Sequence, residues 1–155
     1  MPEAGQARVP PGTYLAFDYG LRRIGVAVGQ TATCTASPLE VLNGKPEPEW
    51  DRIGALLAEW RPIALLVGLP LDAEANETPM STAARRFGAE LEKRFGLPVH
   101  YNDERMTSRA ADQRFRELRA AGGARRKDAA RLDAVAAGII LEQWLARHGN
   151  EGPES

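Results

Sequence analysis

Apolar positions along the chain follow two different periods. Tyr14-Leu-Ala-Phe-Asp18 is a short apolar run ending on a carboxylate and reads as a buried strand. Gly20 to Arg23 reads as a turn, and Ile24-Gly-Val-Ala-Val28 as a second strand, close enough to pair as a hairpin. Ala36 to Leu42 is a weaker third strand. Trp50, Ile53, Leu57 and Trp60 recur at three- and four-residue steps, which predicts an amphipathic helix ended by Pro62. Ile63-Ala-Leu-Leu-Val67 reads as a central strand stopped by Gly68-Leu-Pro70, and residues 71–78 as a polar loop. Met80, Ala84, Phe87, Leu91 and Phe95 mark a second helix, closed by Gly96 and Pro98. Pro98 to Asn102 is a short strand with Asp103, Glu104 and Arg105 at its carboxyl end. Thr107 or Ser108 is placed to cap a helix running to about Ala121. Gly122 to Lys127 reads as a flexible basic loop, and Asp128 to about His148 as the last helix, with Leu132, Val135, Ala136, Ile139 and Ile140 apolar.

Opening hairpins followed by alternating helices and strands imply an α/β domain, a mixed sheet covered by helices. Ligands of such sheets gather beyond the carboxyl ends of the parallel strands. The expected domain spans 13–148, between a flexible N-terminal tail, 1–12, and a flexible C-terminal tail, 149–155. There is no internal repeat.

Composition narrows the class. The 155 residues suit one domain, and 43% hydrophobic with 26% charged residues is ordinary for a globular core. The single cysteine, Cys34, excludes an internal disulfide and fits a reducing compartment. No apolar run approaches the roughly 18 residues of a membrane span. The N-terminus lacks the apolar core of a signal peptide, so a cytoplasmic location is expected. A net charge of −1 does not suggest a polyanion binder, but its distribution does. Glu40 to Glu77 holds eight acids and three bases, whereas Arg105 to Arg131 holds nine bases and three acids. Such clusters alone describe two solvated helix faces. Beside a site, the second becomes a surface for nucleic acid.

Three acids stand out by position. Asp18 ends the first strand, Glu104 follows the fifth, and Asp133 lies near the start of an otherwise apolar helix. Taken singly, Asp18 can cap a turn, Glu104 can pair with Arg105 or Arg109, and Asp133 can face solvent. Together they suggest convergence at one end of the sheet. Convergent carboxylates repel and need a cation between them. Oxygen-only donors favour Mg²⁺ or Mn²⁺. Two such ions about 4 Å apart stabilise both oxygens of an in-line phosphoryl displacement. Asp103 and Glu104, as neighbours in an extended segment, point to opposite faces, so one of them is a ligand. Glu104 is the choice and Asp103 the reserve. Arg22 and Arg23 are solvated hairpin charges unless a metal site adjoins them. In that case the guanidinium fork suits phosphate.

Other chemistry is thinly represented. His100 reads as a partly buried structural side chain and His148 as part of a fraying end. Cys34 reads as an inert core thiol. Ser81 and Ser108 lack the context of a triad.

At these residues the chain resembles a known family. Asp18-Tyr-Gly-Leu-Arg-Arg-Ile-Gly25 is similar to the opening motif of the YqgF/RuvX family of Holliday-junction-resolvase-like pre-16S ribosomal RNA nucleases. Val67-Gly-Leu-Pro70, Asp103-Glu-Arg-Met-Thr-Ser108 and Asp133-Ala-Val-Ala-Ala137 look like its later motifs, in order, across roughly residues 13–147. The resemblance implies a ribonuclease-H-like fold with a five-stranded mixed sheet, and a role in maturing the 5′ end of small-subunit ribosomal RNA. It implies metal-binding, catalytic carboxylates at Asp18, Glu104 and Asp133. Arg22 and Arg23 match its basic pair and Thr107 a hydroxyl residue. Leu21 departs from it, at a place often taken by a small polar residue. Nucleic-acid contacts are expected from Arg22, Arg23, Arg105, Thr107, Arg125, Arg126 and Lys127.

The function expected is phosphodiester hydrolysis with Mg²⁺ or Mn²⁺, Asp18 bridging two ions and Glu104 and Asp133 each holding one. RNA is expected over DNA as partner, with ribosomal precursor particles as its context, for a monomer or weak homodimer without membrane contact. A DNA junction resolvase is the near alternative, since the site reads phosphate rather than the 2′-OH. A non-catalytic RNA-binding factor in transcription or ribosome assembly has no use for carboxylates facing phosphates. A phosphotransferase of the actin and sugar-kinase type needs a second lobe that 155 residues cannot supply.

Overall fold

A computed structural model describes residues 10–70, 74, 76–103 and 126–148. Five strands form one sheet: β1 (Thr13–Tyr19), β2 (Arg23–Gln30), β3 (Thr35–Asn43), β4 (Ala64–Leu69) and β5 (Val99–Asp103). Three helices are described, α1 (Trp50–Trp60), α2 (Pro79–Phe95) and α3 (Arg126–His148). The strand order is β3-β2-β1-β4-β5. The hairpin strands β1, β2 and β3 pair antiparallel, while β4 runs parallel to both β1 and β5. The expected mixed five-stranded sheet is therefore present. The carboxyl ends of β1, β4 and β5 lie on one side of it.

Strand alternation sorts the core into two layers. Leu15 and Phe17 of β1, with Leu65, Val67 and Leu69 of β4, pack against Ile53 and Leu56 of α1 and Ala84, Phe87 and Leu91 of α2. Tyr14 and Ala16, with Ala64 and Leu66, pack on the other face against Ile140, Leu141, Trp144 and Leu145 of α3. Asp18 has the parity of Tyr14 and Ala16, so β1 presents it to the α3 side. Phe87 centres the first layer, edge-on to Phe17 at 5.6 Å and stacked on Tyr19 at 4.9 Å. Truncating such a ring to alanine costs about 3–5 kcal/mol.

The helix ends have local causes. Arg61 stops α1 in the left-handed region (φ 48), its N–H donating to the Leu57 carbonyl. A residue before proline disfavours the α region, so Pro62 acts through Arg61. Thr78 and Ser81 form a capping box at α2 with Pro79 in its first turn, and Gly96 ends α2 in the left-handed region (φ 70). The Ser81 hydroxyl also donates to the Pro70 carbonyl, fastening α2 to the end of β4. Ser81 is thus a structural hydroxyl.

Some elements depart from the sequence expectation. The third strand runs from Thr35 to Asn43, longer than the apolar pattern, with a bulge between Val26 and Ala27 of its partner. Pro38 is tolerated because β3 is an edge strand, where a missing N–H need not break a ladder bond. The last helix begins at Arg126, so Arg126 and Lys127 are helical rather than part of a basic loop. No proline or glycine follows Gly123 before this point, and the intervening residues are good helix formers. Pro10 and Gly12 are tied down: the Tyr14 hydroxyl donates to the Pro10 carbonyl at 2.7 Å, and Gly12 exchanges bonds with Thr31.

Candidate active site

Asp18 is the penultimate residue of β1, half-buried, and pairs in antiparallel register with Gly25 of β2. Such partners are about 5 Å apart at Cα. Gly25, Ala27 and Gly29 share the face of β2 that meets α3. A Cβ at Gly25 would overlap the carbonyl group of Asp133 and lie 2.9 Å from the Ala134 nitrogen. A Cβ at Gly29 would lie 2.9 Å from Leu141 Cδ2. This row of small residues lets α3 descend onto β2. The descent brings the backbone of Asp133 against Gly25, directly across the hairpin from Asp18. The backbones of two acids separated by 115 positions in the sequence (133 minus 18) thereby adjoin the same glycine near the carboxyl end of β1.

The Asp133 carboxylate accepts a bond from Arg23 Nε at 2.7 Å, with side-chain exposures of 43% for Arg23 and 31% for Asp133. Both charges keep water contact. Arg22, one residue earlier, is exposed, and its carbonyl accepts from Gly44 N at 2.8 Å. Gly44 fits closely under the hairpin, where a Cβ would come 2.7 Å from the Leu21 carbonyl oxygen. The loop after β3 therefore braces the hairpin that carries Leu21, Arg22 and Arg23.

Arg23 and Asp133 are brought together, Asp18 lies in register with the glycine that the Asp133 backbone packs on, and Arg22 shares the hairpin. Glu104, Arg105, Thr107 and Arg125 lie outside the described residues, as does the helix expected to be capped by Thr107 or Ser108. Asp103 closes β5 in register with Leu69, a residue of the first core. Arg126 and Lys127 open α3, seven and six residues ahead of Asp133. At about 1.5 Å per residue, they lie roughly 10 Å up the helix from it. Among the described residues no three acids, histidines or cysteines gather as a metal cluster.

The histidines stand apart from these acids. The rings of His100 and His148 pack on that of Trp144 at 5.1 and 5.2 Å, and burial lowers the pKa of each. His100 is the structural side chain expected. His148 is packed rather than frayed, because Trp144 one turn earlier gives its ring a surface. Cys34 is partly buried in the β2–β3 turn with φ 53, at the margin of the second core rather than within it. The acidic stretch lines a separate concavity of about 670 Å³ that includes Glu47, Glu49 and Asp51.

Two features were not anticipated. Gly25 was visible as part of a motif, but its contact partner was not. The Arg23–Asp133 pair joins residues 110 positions apart, and nothing local distinguishes Arg23 from Arg22.

The fold defines the class first. The chain superposes on Thermus thermophilus RuvC bound to a Holliday junction substrate with a TM-score of 0.54 and 20% identity, covering 89% of this chain and 98% of that one. With its mixed five-stranded sheet, the fold is ribonuclease-H-like. The chain belongs to the RuvX family, described as Holliday junction resolvase, whose sequence pattern matches residues 12–147. A Legionella pneumophila subsp. pneumophila protein named "Putative pre-16S rRNA nuclease" is 48% identical over 138 residues, covering 88% of this chain and 97% of its own length. A Xanthomonas oryzae pv. oryzae protein of the same name is 47% identical over 147 residues, covering 94% of each chain.

Proposed function

We propose that this protein is a metal-dependent nuclease that hydrolyses phosphodiester bonds of structured nucleic acid, acting in 5′-end processing of pre-16S ribosomal RNA. The observation that supports the reading is the placement of Asp18 and the Asp133 backbone on either side of Gly25, at the end of the sheet where the parallel strands terminate. The names of the family's relatives favour a ribosomal RNA precursor as substrate. The family's own description favours a DNA junction as the second reading.

The donors fit a hard divalent cation. They are carboxylate oxygens, half-exposed, without a thiolate or imidazole beside them, which suits Mg²⁺ or Mn²⁺ rather than zinc. Asp18, Asp133 and Glu104 would hold the metal. Glu104 is preferred to Asp103, since neighbours in an extended segment point to opposite faces and only one of the two can serve as a ligand. A bound divalent cation supplies an activated water and charge neutralisation at phosphorus.

The rest of the work falls to the chain's own residues. Asp18 sits on a strand flanked by neighbours on both sides, so its carboxylate is held in place before substrate arrives. Gly25 sets the depth of α3 and thereby the separation of Asp133 from Asp18. Arg22 and Arg23, on the braced hairpin, bind phosphate oxygens. Arg105, Thr107, Arg125, Arg126 and Lys127 extend the contact along the backbone of the nucleic acid. The domain is taken as 13–148, in a cytoplasmic monomer or weak homodimer. Among the described residues no helix is long and apolar enough to cross a membrane.

The test is cleavage of matched RNA and DNA substrates by purified protein in Mg²⁺, Mn²⁺ or chelator. Metal-dependent cutting of a pre-16S fragment is expected, with weaker action on the DNA counterpart. A preference for a four-way DNA junction would establish the second reading. Cleavage that persists in chelator, or none of either substrate, would overturn both.

A further inference from the structure

We infer that Arg23 is an exchangeable counter-ion of Asp133, which couples metal binding to nucleic-acid binding. The inference rests on the reading of Asp133 as a metal ligand.

The Arg23–Asp133 pair is built differently from the two-bond ion pair of Arg52 and Glu40. Arg52 grips Glu40 with two bonds, Nε to Oε2 at 2.8 Å and Nη2 to Oε1 at 2.7 Å. Arg23 meets Asp133 through Nε alone, at 2.7 Å. A guanidinium bonded only through Nε keeps the outer edge of its fork for a second anion. The pair is also not what anchors α3. The helix already rests on Gly25 and Gly29, and Ala134, Ala137 and Leu141 are buried beneath it. With 43% and 31% of the two side chains exposed, either partner can be exchanged for water, an ion or a phosphate at small cost.

Two competitions then share one contact. A divalent cation competes with the guanidinium for the charge of Asp133, and a phosphate on the outer edge of the fork competes with Asp133 for the charge of Arg23. Each event removes the obstacle to the other. Linkage requires the effect to be reciprocal: nucleic acid tightens the metal by the factor by which the metal tightens nucleic acid. Arg23 is thus a positioning residue, distinct from Arg22 beside it, which contacts no carboxylate among the described residues.

The test measures Mn²⁺ binding by electron paramagnetic resonance, without nucleic acid, for the intact protein and for Arg23→Gln, Arg23→Lys, Arg22→Gln and Asp133→Asn. Arg23→Gln should bind Mn²⁺ about fivefold more tightly, the gain expected when a partly exposed ion pair no longer has to be broken. Arg22→Gln removes the same charge one residue away and should change affinity less than about twofold. Arg23→Lys should stay near the intact protein. Fluorescence anisotropy of a labelled RNA hairpin, with and without Ca²⁺, reads the other half of the coupling. The tightening by Ca²⁺ should shrink about fivefold in Arg23→Gln. A structural role alone would lower the melting temperature and leave or weaken Mn²⁺ affinity. If Arg23→Gln gains nothing over the intact protein, or Arg22→Gln gains as much, the inference falls while the metal site stands. If Asp133→Asn binds Mn²⁺ as the intact protein does, or neither binds it, the metal-ligand reading falls as well.

Discussion

Gly25→Ala tests the contact on which the site depends. The added methyl group would overlap the Asp133 carbonyl and meet the Ala134 nitrogen at 2.9 Å. These are backbone atoms of a helix packed along β1, β2 and β3, so no side-chain rotation relieves the overlap. The front of α3 must lift, or β2 must bend against both neighbours. Overpacking of this sort costs about 1–3 kcal/mol, and a backbone obstacle places it at the upper end. For a chain of this size each kcal/mol lowers the melting temperature by about 2–4 °C, so a fall of roughly 6–12 °C is expected. Gly54→Ala in α1 is the control, because its Cβ would meet the Phe95 ring at ordinary contact distances, 3.4 Å from Cε1 and 3.9 Å from Cζ. It should be neutral or stabilising by up to about 1 kcal/mol, as alanine is the better helix former. The assay combines thermal unfolding by circular dichroism with Mn²⁺ affinity below the transition. Gly25→Ala should lose both stability and metal affinity, since lifting α3 carries Asp133 away from Asp18. A Gly25→Ala protein that melts and binds Mn²⁺ like the intact protein would refute the packing argument.

Two further outcomes follow from the charges. Replacing Arg125, Arg126 and Lys127 with alanine should weaken binding across many sequences. The slope of log K against log salt should fall by about 0.7 per lost phosphate contact on single strands and about 0.9 on duplex DNA. An unchanged affinity and slope would make these residues a solvated face only. Burial lowers the pKa of His100 from its usual 6.5, so below about that pH the unfolded chain takes up a proton that the folded chain resists. Stability should therefore decline as pH falls from 7 towards 5. His100→Phe, which keeps a ring against Trp144, should flatten part of that decline in melting temperature, and an identical pH profile would contradict the burial argument.

Strands whose side chains are buried on both faces were the most legible part of the chain. Tyr14–Phe17 and Ala64–Val67 are continuous apolar runs because one residue in two meets α1 and α2 and the next meets α3. The edge strand β3 was under-read because one of its faces and one of its margins meet water. Its polar residues and Pro38 carry no apolar alternation. The start of α3 is poorly legible because a run of cations after two glycines resembles a loop, although helix formers continue through it. The capping box at α2 has a local signal, Thr78 with Pro79 and Ser81, at the end of a polar stretch whose composition reads as loop. Of the site, Asp18 and Asp133 were legible as acids out of keeping with their apolar neighbours. Their meeting was not, because it depends on how far α3 sinks onto β2, and hence on the missing side chains of Gly25 and Gly29. The partner of Arg23 was hidden for the same reason.

The central claim is that Asp18 works by charge, holding a divalent cation at the end of β1. Asp18→Asn retains the shape of the side chain and removes the charge. Single-turnover cleavage of a pre-16S RNA fragment should be measured for both proteins in Mg²⁺ and in Mn²⁺, with melting temperatures recorded in parallel. The account predicts loss of cleavage by at least about a hundredfold in Asp18→Asn, at a melting temperature close to that of the intact protein. Near-normal cleavage by Asp18→Asn in either metal would contradict it.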